Sequence, residues 1–411
     1  MLLPLLLLSL RSDLTQILND PALNGANVTA QVSTLDGKVL FTRNPGQRVM
    51  PASNQKLFST SFACYTLGVD YRPKTRFWKS ADSVTIDSPG DPLMTDTQLE
   101  QAAKALGAGT GSVKVRQAYR PGYPESWEWD DFPNRYAASV AAFSCNQGGF
   151  EMWAENGSPM LLPRAYGVKI DVQPGDQRAH VVYDPRTSRA LVIGLVPQAK
   201  TKLDTLAIPK PDVAAASYFG SDFQSVETVP EQAPDLVITG KSMPDMLAAC
   251  LKPSDNLIAE NLLMMAATKD GRIQDPYPSA KAKLTKFLTD VVGIDSHDFH
   301  VTDGSGMSRH NMVTTREIVK LLIWAHRQPT SAVWHASLDS PSDGTLKNRL
   351  KGINFEGKTG TLDMVVALSG YVHTKHGKTL VMSVIANNFS CGSDTVRGIV
   401  DSFTRKLAET Q

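Results

Sequence analysis

Cysteine is scarce in this chain and scattered. Cys64, Cys145, Cys250 and Cys391 form no C-x-x-C pair. That excludes the common zinc fingers and ribbons and gives no sign of a disulfide framework. Buried free thiols are the simplest reading, with one bridge left open if the protein is exported. Histidine is also sparse, at eight residues; His297 and His300 sit three apart. They lack a third ligand in any recognisable pattern, so no metal site is expected. Neither sign of charge is in excess: 42 basic residues face 41 acidic ones, for a net charge of +1. This argues against a nucleic-acid binder and against a polybasic membrane anchor. No phosphate loop or dinucleotide fingerprint occurs, and no cofactor is expected. Long apolar runs are missing except at Met1–Leu10, which is too short to span a bilayer. That run is similar to the apolar part of a secretory signal, without a basic region before it or a clear cleavage site after it. Residues 1–11 are read as a partial signal segment, the alternative being an apolar helix start. Membrane association is expected to be peripheral at most.

What is present is an ordinary globular composition, 42% hydrophobic and 20% charged over 411 residues, enough for two or three domains. Val28–Val32 alternates, Asp36-Gly37 marks a tight turn, and Val39-Leu40-Phe41 resumes, which predicts a hairpin. Leu57, Phe58, Phe62, Ala63 and Leu67 then step at helical spacing, so Pro51 or Ser53 should open a helix. From about residue 70 to 240, Pro, Gly, Asp and short β-branched runs dominate, such as Val168–Val172 and Ala190–Ile193. That texture favours a mostly β region. Helical patterns return at 243–251, 254–268, 280–292 and 315–326. A strand pair is expected at 364–372 and 379–386, and a last helix through Val396, Ile399, Val400, Phe403 and Leu407. There is no internal repeat and no low-complexity segment. The economical inference is one α/β (α+β) domain built from both chain ends, residues 12–69 and 240–411, interrupted by a β-rich insertion over 70–239.

Three short motifs carry chemistry: Ser53-Asn-Gln-Lys56, Ser254-Asp-Asn256 and Lys358-Thr-Gly360. Each is weak alone. Ser53 would serve equally as a helix cap, Lys56 as a surface lysine, Ser254 as the cap of its own helix, and Lys358-Thr-Gly as an edge turn. Ser144-Cys-Asn146 also fits the middle pattern. In order and together they form a set used by penicillin-recognising serine enzymes. Ser53 and Lys56, at i and i+3 near a helix start, share one face. A hydroxyl is a poor nucleophile without an adjacent base, and a lysine in a dry site near another cation can supply one. Ser254 is placed to relay a proton towards the leaving nitrogen, and Asn256 to bind a substrate amide. Lys358 and Thr359 offer a charge and a hydroxyl to a substrate carboxylate. Gly360 would let the substrate approach the backbone, and the Thr361 and Ser53 N–H groups would form an oxyanion hole.

On these residues the chain resembles the class C low-molecular-mass penicillin-binding proteins, the D-alanyl-D-alanine carboxypeptidase/endopeptidases. The resemblance also rests on Gly90-Asp-Pro92, Asp303-Gly-Ser-Gly-Met-Ser-Arg309 with Asn311, Gly344-Thr-Leu346 with Arg349, and Leu368-Ser-Gly-Tyr371. It spans nearly the whole chain, most loosely in the middle third. It implies a serine β-lactamase/transpeptidase-like domain holding a long insertion between the nucleophile and Ser254. Class A β-lactamases, with the two motifs much closer, do not fit, and Ser144 falls inside the insertion. The implied substrates are peptidoglycan stem peptides, with β-lactams as covalent inhibitors of Ser53 and an extracytoplasmic location. Arg309 matches a position that contacts the diaminopimelate side chain. Two departures bear on selectivity. No carboxylate stands around Ser144–Phe150, where the family often has one, and Asp363 replaces an uncharged residue. Competing readings are a serine β-lactamase or esterase on the same scaffold, and a non-catalytic cell-wall binder or β-lactam sensor.

Overall fold

The computed structural model describes residues 2–109, 111–162, 167–273 and 275–410. The chain folds into two compact units. One comprises Met1–Val69, Met243–Ala259 and Pro278–Gln411; the other comprises Asp70–Ser242 and Glu260–Tyr277.

The first unit contains α1 (Leu2–Leu18), β1 (Asn27–Thr34), β2 (Val39–Arg43), α2 (Gln55–Leu67), α3 (Met243–Leu251) and the start of α4 (Asn256–Ala267). It continues with α5 (Pro276–Lys286), α6 (Thr315–His326), α7 (Ser331–Ser337), β3 (Phe355–Leu362), β4 (Val365–His373), β5 (Thr379–Asn387) and α8 (Ser393–Ala408). The strands form one antiparallel sheet in the order β3–β4–β5–β1–β2. Strand side chains alternate between faces. Val366, Leu368, Met382, Val384, Ala30 and Val32 therefore share one face, where they pack with Leu14, Leu18, Phe403 and Leu407 of α1 and α8. On the other face, Tyr371 donates a hydrogen bond to the Leu322 carbonyl of α6 at 2.6 Å. Covered on both sides, β4 is buried at eight of its nine positions, which is why it reads as a nearly continuous apolar run.

Helix α1 takes in the run read as a partial signal segment. From Leu10 onward it is core: Leu10, Leu14 and Leu18 repeat every fourth residue and are all buried. Asp13 pairs with Lys406 of α8 at 2.7 Å. Among the described residues, no helix is long and apolar enough to cross a membrane.

The second unit is mostly β. Its largest sheet orders the strands Asp222–Ser225, Ser112–Gln117, Ser83–Ser88, Lys74–Lys79 and Leu236–Thr239. It is covered by helix Asp96–Leu106 over a core of Phe77, Ile86, Leu99, Val113 and Phe219. Two three-stranded sheets between residues 149 and 207 share a second core around Phe150, Met152, Tyr183, Val192 and Leu206. The Gly90-Asp-Pro92 signature has a steric basis here. At φ +105°, a Cβ on Gly90 would lie 2.2 Å from the Tyr119 hydroxyl. That hydroxyl donates to Asn261 at 2.6 Å, which helps place residues 260–277 in this unit although they follow the Ser254 motif in sequence.

A half-buried cluster of one carboxylate and three imidazoles closes the end of β3 and β4. Glu356 accepts from the imidazoles of His335 at 2.5 Å and His373 at 3.1 Å, and His335 meets His326 at 2.9 Å. Burial alone would raise the Glu356 pKa. The hydrogen bonds from the two histidines outweigh it and hold the carboxyl at about 2. A carboxyl depressed in the folded state stabilises fully above its ordinary pKa, and that stability is lost as pH falls through its folded value. Between pH 5 and pH 2 the wild type should therefore lose on the order of 2 kcal/mol from this group, allowing for solvent screening. In thermal melts across that range, Glu356→Gln should show a flatter pH dependence than the wild type. Parallel curves would exclude the assignment.

Candidate active site

The chain reaches Ser53 through a constrained turn. Asn387, at the end of β5, accepts from the Met50 N–H at 2.7 Å and donates to its carbonyl at 3.2 Å. Asn54 donates to Ser369 of β4 at 3.2 Å, and Ser369 donates to Ser383 of β5 at 2.8 Å. The turn is thus pinned to the middle of the sheet. Ala52 sits at φ +47°, a left-handed conformation that a non-glycine residue adopts only where its surroundings enforce it. A short 3-10 turn over Ala52–Asn54 leads into α2, with no side-chain cap from Asn54 or Pro51. Ser53 is consequently not tied up as a helix cap, and its side chain lines a cleft.

Lys56 is fully buried. Its Nζ lies 2.9 Å from Ser53 Oγ, 2.6 Å from Asn256 Oδ1 and 2.8 Å from the Ser305 carbonyl. As an ammonium it donates to all three. As a neutral amine it keeps two N–H bonds for the two carbonyl-type oxygens and turns its lone pair to the serine hydroxyl. The arrangement therefore accepts either protonation state without breaking a buried hydrogen bond.

The string Asp303–Arg309 supplies one of those oxygens. The buried Asp303 carboxylate accepts from the N–H groups of Gly306 and Ser308 and from the Asn311 amide, each at 2.7 Å. This curls the loop so that the Ser305 carbonyl faces Lys56. Gly306 is at φ +86°, and a Cβ there would lie 1.9 Å from the Ala52 carbonyl oxygen. The loop thus braces the strained turn before Ser53.

Ser254 also has a left-handed φ, at +64°. Asp255, not Ser254, caps α4, accepting from the Ile258 N–H at 2.9 Å. That leaves the Ser254 side chain on the cleft wall, while Asn256 turns inward to Lys56.

Lys358 lies on β3, the edge strand. It is fully buried and donates to the Thr359 carbonyl at 3.0 Å. Desolvation first, and then the charge of Lys56, push it down to about 7, with Asp339 opposing. Asp339 is itself raised to about 6 by burial, against hydrogen bonds from Thr345 and the nearby Lys358. Gly357 exchanges two 2.9 Å backbone hydrogen bonds with Asp339 on the outer side of β3. Because backbone orientation alternates along a strand, the N–H groups of Thr359 and Thr361 also face outward, away from β4. Thr361 thus offers an N–H at the sheet edge, as an oxyanion donor requires.

Three expectations need restating. Gly360 is required by internal packing as well: a Cβ there would meet the Pro51 carbonyl at 2.8 Å and the Ala52 methyl at 3.2 Å. Asn256 is engaged with Lys56. Arg309 does not line the cleft; it donates to the Asp363 carbonyl at 3.0 Å. The cleft, about 580 Å³, is lined by Ser53, Ser254, Thr359 and Thr361, and also by Thr345, Arg349 and Arg397. Asp339 and Arg397 belong to no short motif, so spacing could not reveal them. The four cysteines form no disulfide with one another. Among the described residues, no group of three or more His, Cys, Asp or Glu side chains is placed to hold a metal.

A serine and a buried lysine on one helix, a serine–asparagine loop and a lysine-bearing edge strand define a penicillin-recognising serine acyl-transfer fold. The D-Ala-D-Ala carboxypeptidase 3 (S13) family matches residues 10–408, and the chain belongs to it. A D-alanyl-D-alanine carboxypeptidase of Actinomadura sp. (strain R39) is 27% identical over 98% of this chain and 85% of its own length. Penicillin-binding protein 4 (dacB) of Haemophilus influenzae superposes with a TM-score of 0.79 at 22% identity, covering 96% of this chain and 98% of that one. A penicillin G-acylated predatory endopeptidase of Bdellovibrio bacteriovorus, bound to an immunity protein, superposes at 0.53 with 14% identity, covering 93% and 91%.

Adding one methyl at Gly306 would force apart the loop and the turn. Gly306→Ala should lower the melting temperature by several degrees and slow acylation of Ser53 by benzylpenicillin at least about 10-fold. Unchanged acylation would show that the loop does not brace the serine turn.

Proposed function

We propose that this chain is a serine-type D-alanyl-D-alanine carboxypeptidase/endopeptidase acting on peptidoglycan stem peptides through an acyl-enzyme on Ser53. The observation that carries the reading is the 2.9 Å approach of Lys56 Nζ to Ser53 Oγ within a buried set of acceptors. Family membership and the names of the relatives support the substrate class.

Neutral Lys56 takes the Ser53 proton as Oγ attacks the carbonyl carbon of the penultimate D-Ala. The negative oxygen that forms is met by the N–H groups of Ser53 and Thr361. Collapse breaks the C–N bond, and the leaving nitrogen receives a proton that passes from Lys56 by way of the Ser254 hydroxyl. Water then attacks the ester, again losing its proton to Lys56, and the Ser53 oxygen is released. When the leaving group is a terminal D-Ala the enzyme acts as a carboxypeptidase; when it is a diaminopimelate centre the same steps cut a cross-link. A β-lactam has its leaving nitrogen tethered, so the adduct persists. Lys358 and Lys56 lie in each other's field, so one charge in the pair disfavours a second. Because peptidoglycan lies outside the cytoplasmic membrane, the reading places the protein in the periplasm or beyond it.

Intact mass after incubation with benzylpenicillin should show one penicilloyl adduct on the wild type and none on Ser53→Ala, and Lys56→Ala should slow adduct formation about 10²–10⁴-fold. Absence of both adduct and D-Ala release from a pentapeptide would overturn the reading. The acylation rate should follow a bell-shaped pH profile, its limbs belonging to the Lys56–Lys358 pair. It should fall on the alkaline side once the second lysine loses its charge. A rate still rising at pH 10 would contradict the shared-charge arrangement.

A further inference from the structure

The cleft does not end at the threonines of β3. Beyond Thr361 it runs along α8, where Asp394, Arg397, Gly398 and Asp401 line it with Arg349. The two arginines differ in availability. Arg349 is locked in a two-pronged pair with Asp401, at 3.2 and 2.7 Å, with both side chains only 16% exposed. Arg397 has a weaker hold. Its carboxylate partner, Asp394, sits three residues earlier on the same helix and is 93% exposed. Exposed pairs of this kind contribute little and are easily exchanged. Its other nitrogen reaches Thr361 Oγ1 at 3.4 Å, which directs the guanidinium towards the edge strand.

The neighbouring hydroxyls sharpen the point. Thr345 gives its N–H, at 2.9 Å, and its hydroxyl proton to the Asp339 carboxylate. A threonine hydroxyl has one proton. In the 2.6 Å contact between Thr345 and Thr359, the proton must therefore come from Thr359. While Asp339 is ionised, the Thr359 proton is engaged by Thr345 in this arrangement. Lys358 is buried beneath, spending one N–H on the Thr359 carbonyl. Arg397 is positioned to give a negative group in this part of the cleft a further, charged donor.

We propose that Arg397, with the Thr361 hydroxyl, reads the free carboxylate of the residue that departs when the scissile amide is cut. Arg397 is thus a specificity-determining residue on the leaving-group side. Carboxypeptidase and cross-link substrates both carry such a carboxylate beside the leaving nitrogen. The guanidinium leaves Asp394 and takes up the substrate anion. The assignment rests on the D,D-peptidase reading above.

The test compares diacetyl-L-Lys-D-Ala-D-Ala with its C-terminal carboxamide, which keeps the shape and loses the charge. kcat/KM is measured for both on the wild type, Arg397→Ala, Arg397→Lys and Asp394→Asn. The wild type should prefer the acid. Arg397→Ala should lower the acid-to-amide ratio by about 10–100-fold, and Arg397→Lys should retain part of it, keeping charge but not the planar fork. Asp394→Asn, which removes the competing carboxylate, should lower KM for the acid by about 3-fold. Equal losses on both substrates, leaving the ratio unchanged, would make Arg397 merely structural and overturn the assignment while leaving the D,D-peptidase reading intact. A wild type that releases neither D-Ala from the acid nor D-alaninamide from the carboxamide, and forms no penicilloyl adduct, would overturn both.

Discussion

Two lysines, Lys56 and Lys358, lie fully buried in each other's field, and the rest of the site is arranged around that constraint. Two ammonium groups cannot both remain charged in a dry interior without large compensation. The protein provides only partial compensation. Asp339, raised by burial, offsets Lys358. Lys56 is given two fixed neutral oxygens, from Asn256 and Ser305. A carboxylate beside Lys56 would stabilise its charged form and remove its basicity. Neutral acceptors satisfy its N–H bonds in either state. On the proposed reading, these amide and carbonyl oxygens let Lys56 serve as a base near neutral pH.

That requirement reaches outward through the fold. The Ser305 carbonyl is aimed by the Asp303–Asn311 network, the serine turn is pressed between Gly306 and Gly360, and both are anchored to β4 and β5 by Asn54 and Asn387. The strings that contain Gly306 and Gly360 are thus about backbone approach. Chain segments converge on Ala52 more closely than a Cβ allows.

How much of this was legible differs by kind of interaction. Ser53 and Lys56 are on one helix face, so their meeting follows from spacing alone. The hairpin, the strand pair 364–386 and the last helix follow from period. Nothing local predicts that Asn256 would turn inward while Ser254 faces the cleft; that depends on a left-handed φ at Ser254 and on Asp255 taking the cap. The Glu356–His335–His373 cluster joins β3, α7 and β4, and neither its spacing nor its residue types resemble a motif. The grouping of residues 260–277 with the second unit likewise hangs on long-range contacts such as Tyr119–Asn261. Long-range polar pairs are where a single sequence says least, because no periodicity records them.

The same distinction separates the two ends of the cleft. Around Ser53, polar groups are buried, mutually satisfied and rigid, as a step that moves a proton over a fixed distance demands. On α8, Arg397 is paired with the exposed Asp394 of its own helix and can exchange partners at little cost. A catalytic centre must be the same for every substrate, whereas a leaving-group site must accept a small D-amino acid and a cross-linked residue alike. An arginine that trades a solvent-exposed carboxylate for a substrate one meets that need without disturbing the buried lysines, because Thr361 alone links it to the edge strand. The charge that attracts the departing carboxylate is thereby set apart from the charge that tunes the base.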